Sequence, residues 1–425
     1  MKNIRLFTVF LVVLIDLIGF GIVLPLMPFY ASEFGASPVM IGLLYSIYSV
    51  AQLIFSPIWG GWSDKIGRRP IMLLSTLGAS VAYIFFGLAD TFFLLLLSRL
   101  LAGVMGGNIS TAQAYIADVT SVKDRARGMG LIGAAFGLGF VMGPALASAL
   151  IQPAIPEFFD HLGMTGLATW LGDHTFALPA FFASILSFLS FLLVFFKLEE
   201  TVKPGEITTS GAKDGVFTKA YWKNLAETRQ ASTSGMVLIL LMGAMFVLSF
   251  GQASLYSAFP LFCEAVLNMT AAQVGIQFFW LGIITAVIQG GLIRPLTKIF
   301  KEETLFLVGN VLMATGLFLL GTAESIPQLT AYLALMAIGH SLNLPTVTSL
   351  ISQHADPKRM GATIGATQGL SGLGRAIGPT WGGFLFGFGV ALPFLMTALV
   401  VLSTVYIGFR VRMSTGVPHK QVDSE

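Results

Sequence analysis

Charge is what this chain has least of. Asp, Glu, Lys and Arg together make up 11% of its 425 residues, less than half the share of about 25% usual in soluble proteins. Apolar residues make up 55%. A soluble protein of this size needs polar groups to cover its outside, and a bilayer removes that need. Cysteine is nearly absent too: the single Cys263 excludes an internal disulfide framework. The five histidines are scattered without metal-ligand spacing, so no metal or other cofactor is expected. No Walker loop lies between a strand and a helix, which argues against ATP as the energy source. The glycine-rich stretches sit inside apolar runs, where they cannot cradle phosphates. Carboxylates and histidines do not cluster at one depth, as an embedded enzyme would want. No segment is long enough for the soluble domain of a receptor. The first apolar run, Leu6 to Tyr30, is too long for a signal core, contains Asp16 and lacks a small-residue cleavage site.

What remains is a chain of membrane spans, each needing roughly 20 mostly apolar residues. Such runs fall at 5–30, 38–62, 70–89, 92–118, 128–150, 176–196, 235–263, 271–296, 304–322, 327–353, 360–388 and 391–411. The longest polar stretch, 197–234, divides them six and six. The expected architecture is an all-α membrane protein of twelve helices. It has an N-terminal bundle (1–196), a cytoplasmic central loop (197–234), a C-terminal bundle (235–413) and a cytoplasmic tail (414–425).

With the N-terminus inside, 22 of the 24 Lys and Arg residues fall on the cytoplasmic side, and the other two, Arg99 and Arg375, lie within spans. The outer loops carry only acids: Glu33, Asp90, Glu157, Asp160, Asp173, Glu264 and Glu324. Positive charge stays inside, so the expected setting is the cell inner (plasma) membrane, crossed many times, with both termini cytoplasmic. The chain also repeats itself. Gly137-Leu138-Gly139-Phe140-Val141-Met142-Gly143-Pro144 in span five echoes Gly372-Leu373-Gly374-Arg375-Ala376-Ile377-Gly378-Pro379 in span eleven. Two parallel six-helix repeats around a midplane site is a transporter plan.

Three charges sit in apolar runs. Asp16 lies ten residues past Leu6, about 15 Å deep. A carboxylate there costs several kcal/mol unless it is protonated, paired or hydrated. It is either a group that takes up and releases a proton or a helix-packing hydrogen bond. Arg99 shares a helical face with Gly103, Gly106, Ser110 and Gln113. Its depth differs from that of Asp16 by roughly 10 Å, within reach of a snorkelling side chain. It would pair with Asp16 or bond helix-end carbonyls. Arg375 shares a face with Gln368, Ser371, Gly378 and Gly382. It would face water, pair across the halves with Asp16, or meet an anionic substrate.

The loop Gly60-Gly61-Trp62-Ser63-Asp64-Lys65-Ile66-Gly67-Arg68-Arg69 joins spans two and three. Gly67 permits a tight reversal, Asp64 would cap a helix N-terminus, and Asp118 would pair with Arg68. The plainer reading is a basic anchor at the lipid headgroups. The runs Gly139 to Pro144 and Gly374 to Pro379 permit close helix contact and a bend. Gln252, Tyr256, Gln277, Trp280, His340 and Asn343 add polar and aromatic positions, each as fit for packing as for lining a cavity.

The loop at 60–69 resembles the signature G-x-x-x-D-[RK]-x-G-R-[RK] of the major facilitator superfamily. Arg99-x-x-x-Gly103, Gly139-x-x-x-Gly143-Pro144 and Asp16-x-x-Gly19-x-x-x-x-x-Pro25-x-x-Pro28 are similar to further features of its twelve-helix drug:proton antiporters, nearest the tetracycline efflux branch. That resemblance implies a cytoplasmic latch of Asp64, Arg68 and Asp118 that breaks as the cavity opens inward. It also implies proton coupling by Asp16 and Arg99. The span-five run implies export. Two departures matter. Tetracycline pumps carry acids in spans three and nine and a histidine in span eight, and those positions align with Ala82, Met313 and Thr285 here. Tetracycline itself is therefore not the expected substrate. Span five also ends Ala147-Ser148 where the family has paired glycines.

The function expected is efflux of a small amphipathic compound in exchange for protons, by alternating access. The alternative is a symporter or facilitator for a small organic anion or a lipid. The partners expected are that small molecule, protons and the bilayer, with no nucleic acid, and the protein is expected to act as a monomer.

Overall fold

The computed structural model describes residues 2–201, 219, 223, 233–355 and 360–415. Most of the central segment expected at 197–234, the tail beyond 415, and Lys358 and Arg359 lie outside the described residues. Among those described there is no strand. The first half comprises α1 (Lys2–Glu33), α2 (Pro38–Ile66), α3 (Arg68–Gly87), α4 (Phe92–Met105), α5 (Ile109–Val119), α6 (Val122–Leu150), α7 (Ala154–His161), α8 (Thr165–Asp173) and α9 (Ala177–Lys197). A 3-10 turn, Gly106–Asn108, joins α4 to α5 in one span. The second half comprises α10 (Thr233–Leu267), α11 (Ala271–Val287), α12 (Ile293–Ile299), α13 (Glu302–Leu320), α14 (Ile326–His354), α15 (Met360–Phe386) and α16 (Leu392–Thr415). A π-helical segment, Ile288–Leu292, links α11 to α12.

Twelve long helical stretches thus occupy the twelve expected positions, and eleven are long and apolar enough to cross a membrane. The twelfth, α15, has the length at 27 residues. Its glycines, with Gln368, Ser371, Arg375 and Thr380, dilute its apolar character. Polar caps set several starts. Ser37 accepts the Met40 amide at α2, Thr91 accepts the Leu94 amide at α4, and Thr270 forms a capping box with Gln273 at α11.

The two halves are built alike. In the first, α6 packs along α1, with Gly139 against Leu17 and Ile18 and Gly143 against Gly21. In the second, α15 packs along α10, with Gly374 against Phe246 and Phe250 and Gly378 against Phe250 and Ser254. The repeated Gly-x-x-x-Gly is therefore the same joint made twice, because only a missing side chain lets two backbones approach so closely. Outside these pairs, α3 lies on α9, and α13 lies on α14 and α16.

The halves meet through α2 on α15 and α6 on α11. These contacts favour the end of the bundle that carries the acidic loops. There, Thr380 Oγ1 donates to Ser46 Oγ at 2.7 Å, Ser148 Oγ donates to the Ala272 carbonyl at 3.0 Å, and Gly383 lies against Pro38 and Val39. Followed toward the basic end, the same helical rows lose their neighbours. Gly61 of α2, Gly130, Gly133 and Gly137 of α6, and Gly361 and Gly365 of α15 meet nothing within 4 Å. The halves are thus closed at the acidic face and parted at the basic face. A cleft of about 440 Å³, lined by Gln289, Thr348, Ser349 and Ser352 among others, opens on the basic side between the π segment and α14.

Candidate functional site

Asp16 sits midway along α1, and its Oδ2 accepts a hydrogen bond from Asn108 Nδ2 at 2.6 Å. The other oxygen, Oδ1, is buried and finds no partner among the described residues. Asn108 closes the 3-10 turn that breaks the fourth span, a Gly-Gly-Asn run of weak helix formers. Gly106 and Gly107 press against Tyr48 and Trp59 of α2, where a Cβ would come 2.8 Å from the Tyr48 hydroxyl and 2.7 Å from the Trp59 ring. Gln52 Nε2 donates to the Gly106 carbonyl at 3.0 Å, supplying a partner to the interrupted ladder. The same amide nitrogen lies 3.4 Å from Tyr48 Oη.

Arg99 does not pair with Asp16. Its guanidinium lies over the Phe86 ring at 4.5 Å and the Tyr83 ring at 5.7 Å. Its Nε reaches Ser98 Oγ at 3.4 Å, and Nη2 has no partner among the described residues. Cation–π contacts replace an ion pair here, and they hold best where water is excluded; Arg99 is 2% exposed. Arg375 Nη1 donates to Ser371 Oγ at 2.8 Å, which in turn lies 2.7 Å from Ser249 Oγ. Among the described residues no carboxylate lies within ion-pair distance of either arginine.

Between these three charges stands an aromatic group. Phe20 and Tyr48 have ring centroids 5.1 Å apart, Phe20 and Tyr256 6.4 Å, and Tyr45 and Tyr256 6.2 Å. Phe20, Tyr45 and Tyr48 come from the first half and Tyr256 from the second, so the chamber straddles the joint. Arg99 and Met27 also line it. Tyr48 lies within electrostatic reach of Asp16, Arg99 and Arg375 together. The rings touch one another and leave only about 10 Å³ among them, room for no more than a water, so the aromatic group is packed shut in this structure, with Arg99 at its edge.

The remaining expected residues are scattered. Gln252 is half-buried with its Oε1 unpartnered, and His340 is half-buried with Nδ1 unpartnered. Gln277 accepts from Thr330 Oγ1 at 2.9 Å, which ties α11 to α14. Asn343 is fully buried against Gly309 of α13. Trp280 stands on an exposed face of α11 with Ile276 and Val287, away from the chamber. Gln113 and Gln368 are exposed, and Gln368 follows Gly361 and Gly365 along the open row of α15.

At the basic face, Arg68 brings the expected group together. Its Nη1 donates to Asp64 Oδ1 at 2.5 Å and its Nε to Asp118 Oδ2 at 3.1 Å. All three belong to the first half, so this cluster braces α2, α3 and α5 and coexists with parted halves. Asp64 does not cap α3; Glu200 does. The Glu200 carboxylate accepts the Arg68 and Arg69 amides at 2.9 and 3.1 Å, favourable negative charge at a helix start. Gly67 has φ of 107°, a conformation that suits glycine. The Glu200 carboxylate occupies the space a Cβ there would need. Arg69 reaches the Phe195 carbonyl at 2.7 Å, while Lys65 is exposed.

Sequence reasoning missed Asn108, Tyr48 and Glu200. Depth would have found the first. Asn108 is sixteen residues from the start of the fourth span and Asp16 seventeen from the end of the first, which at about 1.5 Å per residue puts both at one level. Tyr48 and Glu200 carry no comparable signal.

A model of the Major Facilitator Superfamily matches residues 9–379 and again 241–424. The chain is 29% identical over 383 residues to the class D tetracycline resistance protein of Salmonella ordonez, covering 88% of each. It is 28% identical over 422 residues to multidrug resistance protein 1 of Bacillus subtilis strain 168, covering 98% of this chain and 97% of that one. The crystal structure of the human organic anion transporter MFSD10 (TETRAN) superposes with a TM-score of 0.68 at 23% identity, covering 96% of this chain and 99% of that one. With this family match running from one half into the other, and with two alike six-helix halves parted at one face, the chain belongs to the major facilitator superfamily and is a multi-pass membrane protein.

Proposed function

We infer that the protein exports a small amphipathic compound across the cell's plasma (inner) membrane in exchange for protons. The basic face, where α1 begins and α16 ends, is the cytoplasmic one. The observation that carries the reading is Asp16: a carboxylate in mid-membrane, held on one oxygen by Asn108 and free on the other, beside an aromatic chamber shared by the two halves. Asp16 binds a proton when its surroundings open outward and yields it when they open to the cytoplasm. Substrate occupies the chamber in the complementary half of the cycle, once Phe20, Tyr48 and Tyr256 have parted to admit it. Rocking of one half on the other then carries each across. No step needs a cofactor, and one chain contains the whole chamber, consistent with a monomer. Tetracycline and multidrug resistance proteins among the relatives support export of a drug-like compound.

A second reading concerns the charge of that compound. The buried Arg99 and the half-buried Arg375, both without carboxylate partners among the described residues, suit an organic anion, the class named for MFSD10. Accumulation of cationic, neutral and anionic amphiphiles by inverted vesicles, under an imposed pH gradient, tests both. Accumulation that collapses with the gradient supports exchange for protons. Transport indifferent to the gradient would leave a facilitator.

A further inference from the structure

The segment between the fifth and sixth spans is the least membrane-like part of the described chain. It leaves α6 at Leu150 and enters α9 at Ala177, so both its ends are pinned at the acidic face. Gly163, with φ of 76°, turns α8 back on α7. Helix α8 docks on the protein: Ala168 and Leu171 are buried, and the Trp170 ring stacks on Phe181 of α9.

Helix α7 differs. At 100° per residue, Ile155, Phe158, Phe159 and Leu162 fall on one side, and Glu157, Asp160 and His161 on the other. Yet α7 has no buried residue. Phe158 is 58% and Leu162 59% exposed. Ile155 and Phe159 on the same side are half-buried, so the uncovered apolar edge is that of Phe158 and Leu162, and such an edge on an amphipathic helix needs another apolar phase. That phase lies beside it, because the spans to which α7 is tethered present an apolar surface to lipid, with Ile185 and Phe188 exposed on α9.

We propose that α7 lies in the interface of the bilayer leaflet at the acidic face, with Phe158 and Leu162 inserted among the acyl chains and Glu157 and Asp160 in water. The segment 151–175 contains no Lys or Arg, so insertion is driven by apolar area and not by attraction to anionic lipid. This anchor belongs to the first half and holds its outer edge at a fixed depth while the other half rocks.

The native Cys263 is buried, so one introduced cysteine can carry an environment-sensitive fluorophore. The test uses the full chain in phosphatidylcholine vesicles, with Phe158→Cys and Asp160→Cys labelled separately. The proposal expects a blue-shifted Phe158 probe, quenched several-fold more by lipid bearing a spin label high on the acyl chain than by iodide on both sides. The Asp160 probe shows the reverse preference. Adding phosphatidylglycerol leaves both unchanged. Iodide quenching of the two probes to the same degree would overturn the proposal. So would a Phe158 probe shielded from both quenchers, which would mean that protein covers the helix. A Phe158 signal that depends on phosphatidylglycerol would contradict the apolar origin of the anchor.

Discussion

The bond from Asn108 to Asp16 is where a single residue decides most. A hydrogen bond to a charged group is worth about 1.5–3 kcal/mol, and about 1.4 kcal/mol is tenfold in rate. Asn108→Leu removes the donor and leaves a bare carboxylate in a low-dielectric site. The expected result is proton-coupled transport reduced at least about tenfold, with part of it restored in Asn108→Gln. Wild-type rates in Asn108→Leu would show that the bond does not matter to the cycle. Arg375 decides selectivity in this account. Arg375→Ala should lose anionic substrates while keeping cationic ones; an equal loss of both in a vesicle uptake assay would refute an anionic preference. Asp16, Arg99 and Arg375 were legible in the sequence because a charge inside an apolar run is conspicuous. Tyr48 was not, because one more tyrosine in an apolar helix looks like packing, and only the fold shows that it stands between three charges.

At the level of elements, the glycine rows tell tight joints from open ones within one helix. A Cβ on Gly143 would lie 2.6 Å from the Gly21 backbone, whereas one on Gly130 would meet nothing within 4 Å. Overpacking costs about 1–3 kcal/mol, so Gly143→Ala should lower the melting temperature in detergent while Gly130→Ala leaves it in place or raises it. By the repeat, Gly378→Ala should behave like Gly143→Ala; indifference at both sites would mean the two joints are looser than described. Span positions were readable from run length alone, since about 20 apolar residues match the bilayer. Irregular elements were not. The 3-10 turn at 106–108 and the π segment at 288–292 each contain a Gly-Gly pair, which weakens a helix without fixing which irregular form it takes. The same limit misplaced Trp280: without knowing which side of α11 faces its neighbours, an aromatic on it reads equally as wall or as surface.

The whole molecule is two alike halves held shut at the acidic face. Ser46 and Thr380 meet across that joint with hydroxyls 2.7 Å apart, so Ser46→Cys with Thr380→Cys should form a disulfide on oxidation. If the halves rock, the bridge stops transport and reduction restores it. Full transport through the oxidised protein would sink alternating access by this motion. Segregated charge indicated which face each loop occupies, but which face is parted was not legible, because the sequence is the same in every state of the cycle.

The account rests on Asp16 as the proton site, and the most direct measurement is proton movement in proteoliposomes on addition of a transported amphiphile, in wild type and in Asp16→Asn. The account predicts a substrate-triggered proton flux in wild type and none in Asp16→Asn. A flux of the same size in both would contradict it and leave Asp16 as a packing residue.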